Sequence, residues 1–384
     1  MYANCMSIKN EEGDLDSLAK SLRRFRIRIK EGVTMKVLIT GGAGFIGSHA
    51  AEYFLEKYSD VKAILYDAFL RSRIYGIPIK AQQYNIEYLK RKFGNRISFI
   101  QGDIRNYKIL SRIARNVDVI IHTAAQVAVT TSLSNPRLDF EINVLGTLNV
   151  LEVARQNDTI VVYCSTNKVY GDNVNKIPII ERETRYEYAD PKYKNGIPEN
   201  FPIDQIGHTP YGCSKLAADL YVQDYYYTYG LKTAVFRMSC IYGERQFGTE
   251  DQGWVAWFVI ATLVNKTITI YGNGKQVRDI LYVRDLIKAW DQFINARHIR
   301  HGVYNIGGGP QNTLSLLELL QLLQKRIGKR PKVRYAPWRP KDQKVYISGI
   351  TKAMRELRWR PTISPLEGIQ KLINWVKENI HLLQ

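Results

Sequence analysis

Cysteine is scarce. The 384 residues hold Cys5, Cys164, Cys213 and Cys240, at spacings that make neither a CxxC pair nor a zinc pattern. That argues against a disulfide-stapled scaffold and offers no metal site. The expectation is small buried fillers in a reducing compartment. Long apolar runs are missing too. None reaches the ~18 residues of a membrane span, and the N-terminal text has no signal-peptide core, so a cytoplasmic protein without a membrane span is expected. Acid is the minority charge: 36 Asp and Glu stand against 55 Lys and Arg, a net charge of +19. Such a balance suits either a nucleic-acid binder or an enzyme for anionic substrates. Outside Lys20–Lys30 no basic run carries interleaved aromatics, which favours the anionic substrate and no nucleic-acid partner. The 45% hydrophobic and 24% charged content reads as globular, and the length suits two lobes.

Residues 1–34 begin polar and acidic and then turn basic. They read as an N-terminal extension or as text ahead of an alternative start at Met35. From Met35 onward short apolar runs at 36–40, 62–66, 97–100, 117–122, 159–164 and 232–237 alternate with helical stretches such as 45–58, 138–156 and 211–229. Strands separated by helices of this length predict right-handed βαβ crossovers. The fold class is therefore α/β, a doubly wound parallel sheet over 35–240. A smaller C-terminal α/β lobe is expected over 241–384, with helices at 254–264, 283–296, 314–327 and 364–379 and strands near 267–271 and 332–335. The aperiodic segment 172–208 reads as a long excursion contributing to the site.

Thr40-Gly41-Gly42-Ala43-Gly44-Phe45-Ile46-Gly47 follows the first strand and opens a helix. Gly41, Gly44 and Gly47 permit a tight turn and close approach of backbone to a pyrophosphate, which sits on a positive helix end with Phe45 and Ile46 in its first turn. Asp67 ends the second strand. An acid there accepts the adenosine-ribose hydroxyls and repels a 2′-phosphate, so the expected cofactor is NAD; Arg71 and Arg73 nearby act against that preference. Asp103 and Ile104 after the third strand would hold the adenine edge. Ala124 and Ala125 after the fourth leave room for the cofactor.

Two further segments carry the chemistry: Ser165-Thr166-Asn167-Lys168 and Tyr211-Gly-Cys-Ser-Lys215. Tyr211 and Lys215 are four apart and share a helix face. A nearby ammonium favours the phenolate, so Tyr211 suits a base that removes a hydroxyl proton, with Lys215 also holding the nicotinamide ribose. Thr166 would hydrogen-bond the reacting oxygen. No Asp or Glu follows Thr166.

With Gly272-Asn-Gly-Lys-Gln-Val-Arg-Asp279, these motifs resemble the extended short-chain dehydrogenase/reductases, the NAD-dependent epimerase/dehydratase superfamily, from Met35 to the C-terminus. Within it, Gln126-Val-Ala-Val-Thr-Thr-Ser132, Asp139-Phe-Glu-Ile-Asn-Val144, Ser165-Thr-Asn-Lys168, Glu183-Thr-Arg-Tyr186 and Asp251-Gln-Gly-Trp-Val255 resemble the CDP-tyvelose 2-epimerases, also called CDP-paratose 2-epimerases. The resemblance implies an isomerase of carbohydrate metabolism. It would oxidise C2 of a CDP-sugar to a 2-keto sugar and re-reduce it with the same bound NAD. It also implies that Arg278 and Arg339 bind the nucleotide diphosphate. Where a dehydratase would carry its acid pair, this chain has Asn167 and Lys168; either they orient sugar hydroxyls or they cap a turn and carry solvent charge. Gln126, Thr131 and the stretch 251–254 are placed around the sugar. Cys240 stands where relatives often have Asn. Two other reactions share the triad, UDP-glucose-type 4-epimerisation and CDP-glucose 2-epimerisation; a Rossmann module that binds NAD without chemistry is the rival from another class. Helices 138–156 and 211–229 resemble those that pair subunits in this superfamily, which implies a homodimer with Tyr225, Tyr226, Tyr227, Leu148 and Leu151 on its face.

Overall fold

The computed structural model describes residues 34–75, 79–339 and 341–383; the basic stretch Lys20–Lys30 and Cys5 lie outside them. The first lobe is built on strands β1 (Met35–Thr40), β2 (Val61–Asp67), β3 (Ile97–Gln101), β4 (Val119–His122), β5 (Ile160–Thr166), β6 (Thr233–Met238) and β7 (His301–Ile306). They form one parallel sheet in the order β7-β6-β5-β4-β1-β2-β3. The order reverses at β1, and in such sheets ligands bind beyond the strand C-termini at that reversal.

The central strands are mostly apolar because both faces of the sheet are covered. Val37 and Ile39 of β1, Val119 and Ile121 of β4 and Val162 of β5 enter one core. Leu38, Ile120, Val161 and Tyr163 enter the other. The first face carries helices α1 (Phe45–Lys57), α2 (Ile79–Phe93) and α5 (Val283–Asn295); the second carries α3 (Gly146–Asn157) and α4 (Thr209–Tyr229).

The chain does not leave this lobe for good at residue 240. Trp290 and Phe293 of α5 pack on Phe236 of β6, and β7 pairs with β6 from His301↔Thr233 to Ile306↔Met238. Residues 283–306 thus return to the first sheet before the second lobe is finished. That lobe buries its own core beneath helices Trp254–Leu263, Leu316–Ile327 and Pro365–Glu378 and the strand pair Ile268–Tyr271 with Val333–Ala336.

The excursion at 172–208 is more ordered than its sequence suggests. It contains the hairpin Ile179–Glu181 with Tyr186–Tyr188. Val169, Tyr170, Val174, Ile177, Ile197, Phe201 and Tyr346 form a small core beside it. The Tyr170 hydroxyl donates to Asn305 Oδ1 at 2.7 Å, tying the segment after β5 to β7. Among the described residues no helix is long and apolar enough to cross a membrane, and no three His, Cys, Asp or Glu cluster as metal ligands.

Candidate active site

The turn after β1 is shaped by what a methyl group would hit. Gly41 has φ +69°, and a Cβ there would lie 2.8 Å from both Ala124 N and Thr123 Oγ1. A Cβ on Gly47 would lie 2.4 Å from Gly41 O. The backbone can therefore close this way only with glycine at both positions. Gly44 caps α1 without any side-chain hydrogen bond, so its first amide groups are left for an anion. The cleft above this turn is open to solvent and is lined by Gly41, Gly44, Phe45, Ile46, Gly47, Asp67, Asp103, Ile104, Ala124 and Ala125. All ten residues assigned from sequence to the cofactor's body therefore meet in one place. The cradle fits a dinucleotide pyrophosphate in shape and in donor chemistry.

Asp67 is buried. Its carboxylate accepts from Phe69 N at 2.7 Å and Ala43 N at 3.1 Å. Burial raises its pKa, with these two amides acting in the opposite sense. Two acceptor positions remain on a carboxylate so held. Arg71 lines the same cleft, and its guanidinium donates to Phe247 O and Gln252 Oε1, which ties it to the second lobe. Asp103 is clasped by Arg105 at 2.7–3.0 Å, and this clasp holds it below the usual carboxylate range.

The strip assigned to the chemistry from sequence, Ser165–Lys168, starts at the end of β5. Thr166 is buried, its hydroxyl donating to Asn167 Oδ1 and accepting from Lys168 N, both at 3.3 Å. Facing it, α4 presents Tyr211 and Lys215 one turn apart, Pro210 at the helix start fixing the entry. Lys215 Nζ donates to Cys164 O at 2.6 Å and lies 4.3 Å from the centre of the Tyr163 ring. Burial pushes the Lys215 ammonium down to about 8, against the pull of Cys164, Asp219 and Asp139. Tyr211 and Lys215 are not among the residues lining the cofactor cleft; Lys215 is bonded to β5 at Cys164 O.

The expected substrate residues are engaged with acids and amides. Arg278 donates to Asp342 Oδ1 at 2.9 Å, and Lys168 Nζ is 3.7 Å from the same oxygen. Burial works to raise Asp342, and Arg278 and Lys168 outweigh it, so the carboxyl sits low. Asn167 Nδ2 donates to Gln343 Oε1 at 3.4 Å. The strip and the segment 342–343 therefore face each other residue by residue. Asn167 is buried and Lys168 half-buried, each set against a partner in that segment. Arg339 donates to Glu250 O and to Asp251 Oδ1 at 3.0 Å, over the Tyr271 ring. Cys240 accepts from Trp254 Nε1 at 3.2 Å.

Gln126 lines the cleft, but its amide donates inward to Asp139 Oδ1 at 2.6 Å and Ala128 O at 2.9 Å. The residues that sequence reasoning left without a role are its partners Asp139 and Asn143, and Ser214, which bonds to both of them. Their signal was the four-residue spacing of Asp139 and Asn143 on one helical face. Asp342 and Gln343 carried no signal of their own, since their partners Arg278, Lys168 and Asn167 stand 64 or more positions away. On the helices assigned to a subunit interface, Leu151 and Tyr225 are core residues. The exposed apolar side chains there are Phe140, Leu145, Leu220, Tyr221, Tyr227 and Tyr229.

Residues 38–372 match the GDP-mannose 4,6 dehydratase family. A CDP-paratose 2-epimerase from Salmonella typhi is 43% identical over 351 residues, covering 89% of this chain and 99% of that protein. A putative UDP-glucose 4-epimerase from Methanocaldococcus jannaschii is 34% identical over 346 residues, covering 89% of this chain and 99% of that one. Among solved structures, UDP-glucuronic acid 4-epimerase from Bacillus cereus, in complex with UDP-glucuronic acid and NAD, superposes with a TM-score of 0.75 at 28% identity, covering 90% of this chain and 99% of its own. The strand order, the glycine turn and the Tyr211–Lys215 pair stand inside that match, and the chain belongs to the GDP-mannose 4,6-dehydratase family of extended short-chain dehydrogenase/reductases.

Proposed function

We propose that this protein is an NAD-dependent nucleotide-sugar epimerase that inverts C2 of a CDP-sugar, of the CDP-paratose to CDP-tyvelose type. The observation that carries the reading is the end of β5. The strip Ser165-Thr166-Asn167-Lys168 holds a hydroxyl but no carboxyl group, and its amide and ammonium are matched to Gln343 and Asp342. A 4,6-dehydratase must protonate a leaving hydroxide. An amide cannot do so, and Lys168, whose pKa burial lowers against the pull of Asp342, stands beside that carboxylate rather than beside an acid of the strip. The 43% likeness to a CDP-paratose 2-epimerase supports C2 over C4.

Gly41, Gly44 and Gly47 would seat the pyrophosphate, Asp67 the adenosine ribose and Lys215 the nicotinamide ribose. Bound there, NAD supplies the hydride acceptor and donor. Thr166 Oγ1 holds the C2 oxygen of the sugar. Tyr211 takes the hydroxyl proton as C2 becomes a ketone, and the Lys215 ammonium stabilises the resulting phenolate charge. Once the 2-keto sugar has turned its other face, Tyr211 returns the proton. One proton leaves and one comes back, so the net change is isomerisation. Arg278 would grip the diphosphate bidentately in place of Asp342, and Arg339 in place of Asp251.

The product assay that tests this reading uses CDP-paratose, CDP-glucose and UDP-glucose. Turnover of UDP-glucose to UDP-galactose alone contradicts it. A homodimer through α3 and α4 belongs to the same proposal, supported by Phe140, Leu145, Leu220, Tyr221 and Tyr227 standing exposed on those helices and the segment before α3. A light-scattering mass near the 44.3 kDa of one chain would reject it.

A further inference from the structure

The segment 126–143 and the helix α4 are joined by a buried polar network that the reaction described above does not use. Asp139 lies in the segment Pro136–Phe140, followed by a single wide π turn, Glu141–Leu145, before α3 begins. Such turns are uncommon and recur at functional sites. Asp139 is 1% exposed. Its Oδ1 accepts from Gln126 Nε2 at 2.6 Å and Asn143 Nδ2 at 3.1 Å, and its Oδ2 accepts from Ser214 Oγ. Every group facing it is a neutral donor. Burial raises the pKa of Asp139, and the bonds from Ser214 and Gln126 and the charge of Lys215 act in the opposite sense, towards the ionised form; among the described residues no arginine or lysine is in contact with it. Ser214 sits on α4 between Tyr211 and Lys215, so the carboxylate is bonded directly to the helix turn that carries both.

Lys215 presents the converse. It is a buried cation, 3% exposed, whose hydrogen bond goes to a carbonyl and whose ring contact is Tyr163. The titratable groups around it are Tyr163 and Cys164 from β5, Tyr211 and Asp219 from α4 itself, His122 from β4 and Asp139 from before α3. His122 is neutral, held between Thr40 and Thr147. Asp219 is spent on Arg237 of β6, with N–O distances of 2.9 and 3.2 Å, and on Ser165 and Gln223. Asp139 is the nearby carboxylate whose charge no arginine or lysine cancels by contact.

We propose that Asp139 is a positioning residue for the reaction: its buried charge is the counter-ion of Lys215, and its bond to Ser214 seats the helix turn that presents Tyr211 and Lys215. The proposal rests on the catalytic roles given to Tyr211 and Lys215 above. Losing the charge would leave the ammonium supported by a carbonyl and an aromatic face alone, so Lys215 would give up its proton at lower pH.

The test follows the pH titration of Lys215 by NMR of lysine-labelled, NAD-free full-length protein, with Lys215→Arg to assign the signal. Asp139→Asn is expected to lower the midpoint by on the order of one pH unit from its position near 8. Asp139→Glu, which keeps the charge, is expected to stay near wild type. If Asp139→Asn does not fold, Asp139→Ser removes the same charge with a smaller side chain and carries the same expectation. An unmoved midpoint in the uncharged variant overturns the proposal, as does an equal shift in the Asn and Glu variants. So does a shift produced by Asp219→Asn and not by Asp139→Asn. The readout needs no sugar, so a protein inactive on every CDP-sugar would sink the functional reading and leave this titration standing.

Discussion

Acid should unfold this protein through two histidines that the fold keeps neutral. His122 ends β4 and is 1% exposed, its ring bonded on one side to Thr40 at 2.7 Å and on the other to Thr147 at 3.0 Å. Burial, with the Lys215 charge behind it, lowers its pKa to about 3. His49 on α1 is likewise lowered to about 3, by burial and by Arg245. In the unfolded chain both titrate near 6.5. Between about pH 3 and 6.5 the unfolded state therefore binds protons that the folded state refuses, so stability is complete above 6.5 and falls as pH drops below it. Going from pH 7 to pH 5, each histidine costs about 2 kcal/mol, since one pKa unit is ~1.4 kcal/mol. The pair costs about 4 kcal/mol, a large share of the ~5–15 kcal/mol that holds a domain together. Buried carboxyls such as Asp67, Asp139, Asp279 and Glu199, which burial raises, work in the other direction at lower pH. The assay is urea unfolding at steps from pH 7 to 5 for wild type and His122→Gln. The variant should lose stability at pH 7 and show about half the pH dependence. Midpoints that stay level from pH 7 to 5, or a variant as pH-dependent as wild type, would refute the reasoning.

Three other outcomes follow from the site. Tyr211→Phe should retain NAD, measured by fluorescence titration, and lose about 10²–10⁴-fold in turnover; unchanged turnover removes the base assignment, and lost NAD binding would make the residue structural. Gly47→Ala should weaken NAD binding by about tenfold or more, because its methyl would stand 2.4 Å from Gly41 O and the turn would have to open; undiminished affinity means the cradle is elsewhere. Arg278→Met should raise the KM for the nucleotide sugar by about tenfold or more with kcat less affected, whereas an unaltered KM would assign the arginine to Asp342 alone.

Much of the first lobe was legible in the sequence for one reason. A parallel strand buried on both faces reads as an unbroken apolar run, and six such runs lie within about two residues of β1–β6. The seventh strand was not legible. His301-Gly302-Val303-Tyr304-Asn305-Ile306 carries a glycine and two polar residues, which break the apolar run. The cofactor cradle could be read because its residues are local to strand ends. Pairings across the fold could not: Lys168 meets Asp342, and Asp139 meets Ser214, only after the chain has closed. Leu151 and Tyr225 resembled a surface stripe because an amphipathic helix shows the same apolar spacing whether it faces a core or a second subunit.

The central claim is the carbon at which the sugar is inverted. Purified protein with NAD, incubated with CDP-paratose in deuterium-free buffer and with UDP-glucose in parallel, should give a product differing from CDP-paratose only at C2, with no net NADH released and UDP-glucose unchanged. UDP-galactose as the one product, or a dehydrated 4-keto sugar from any donor, would contradict the account.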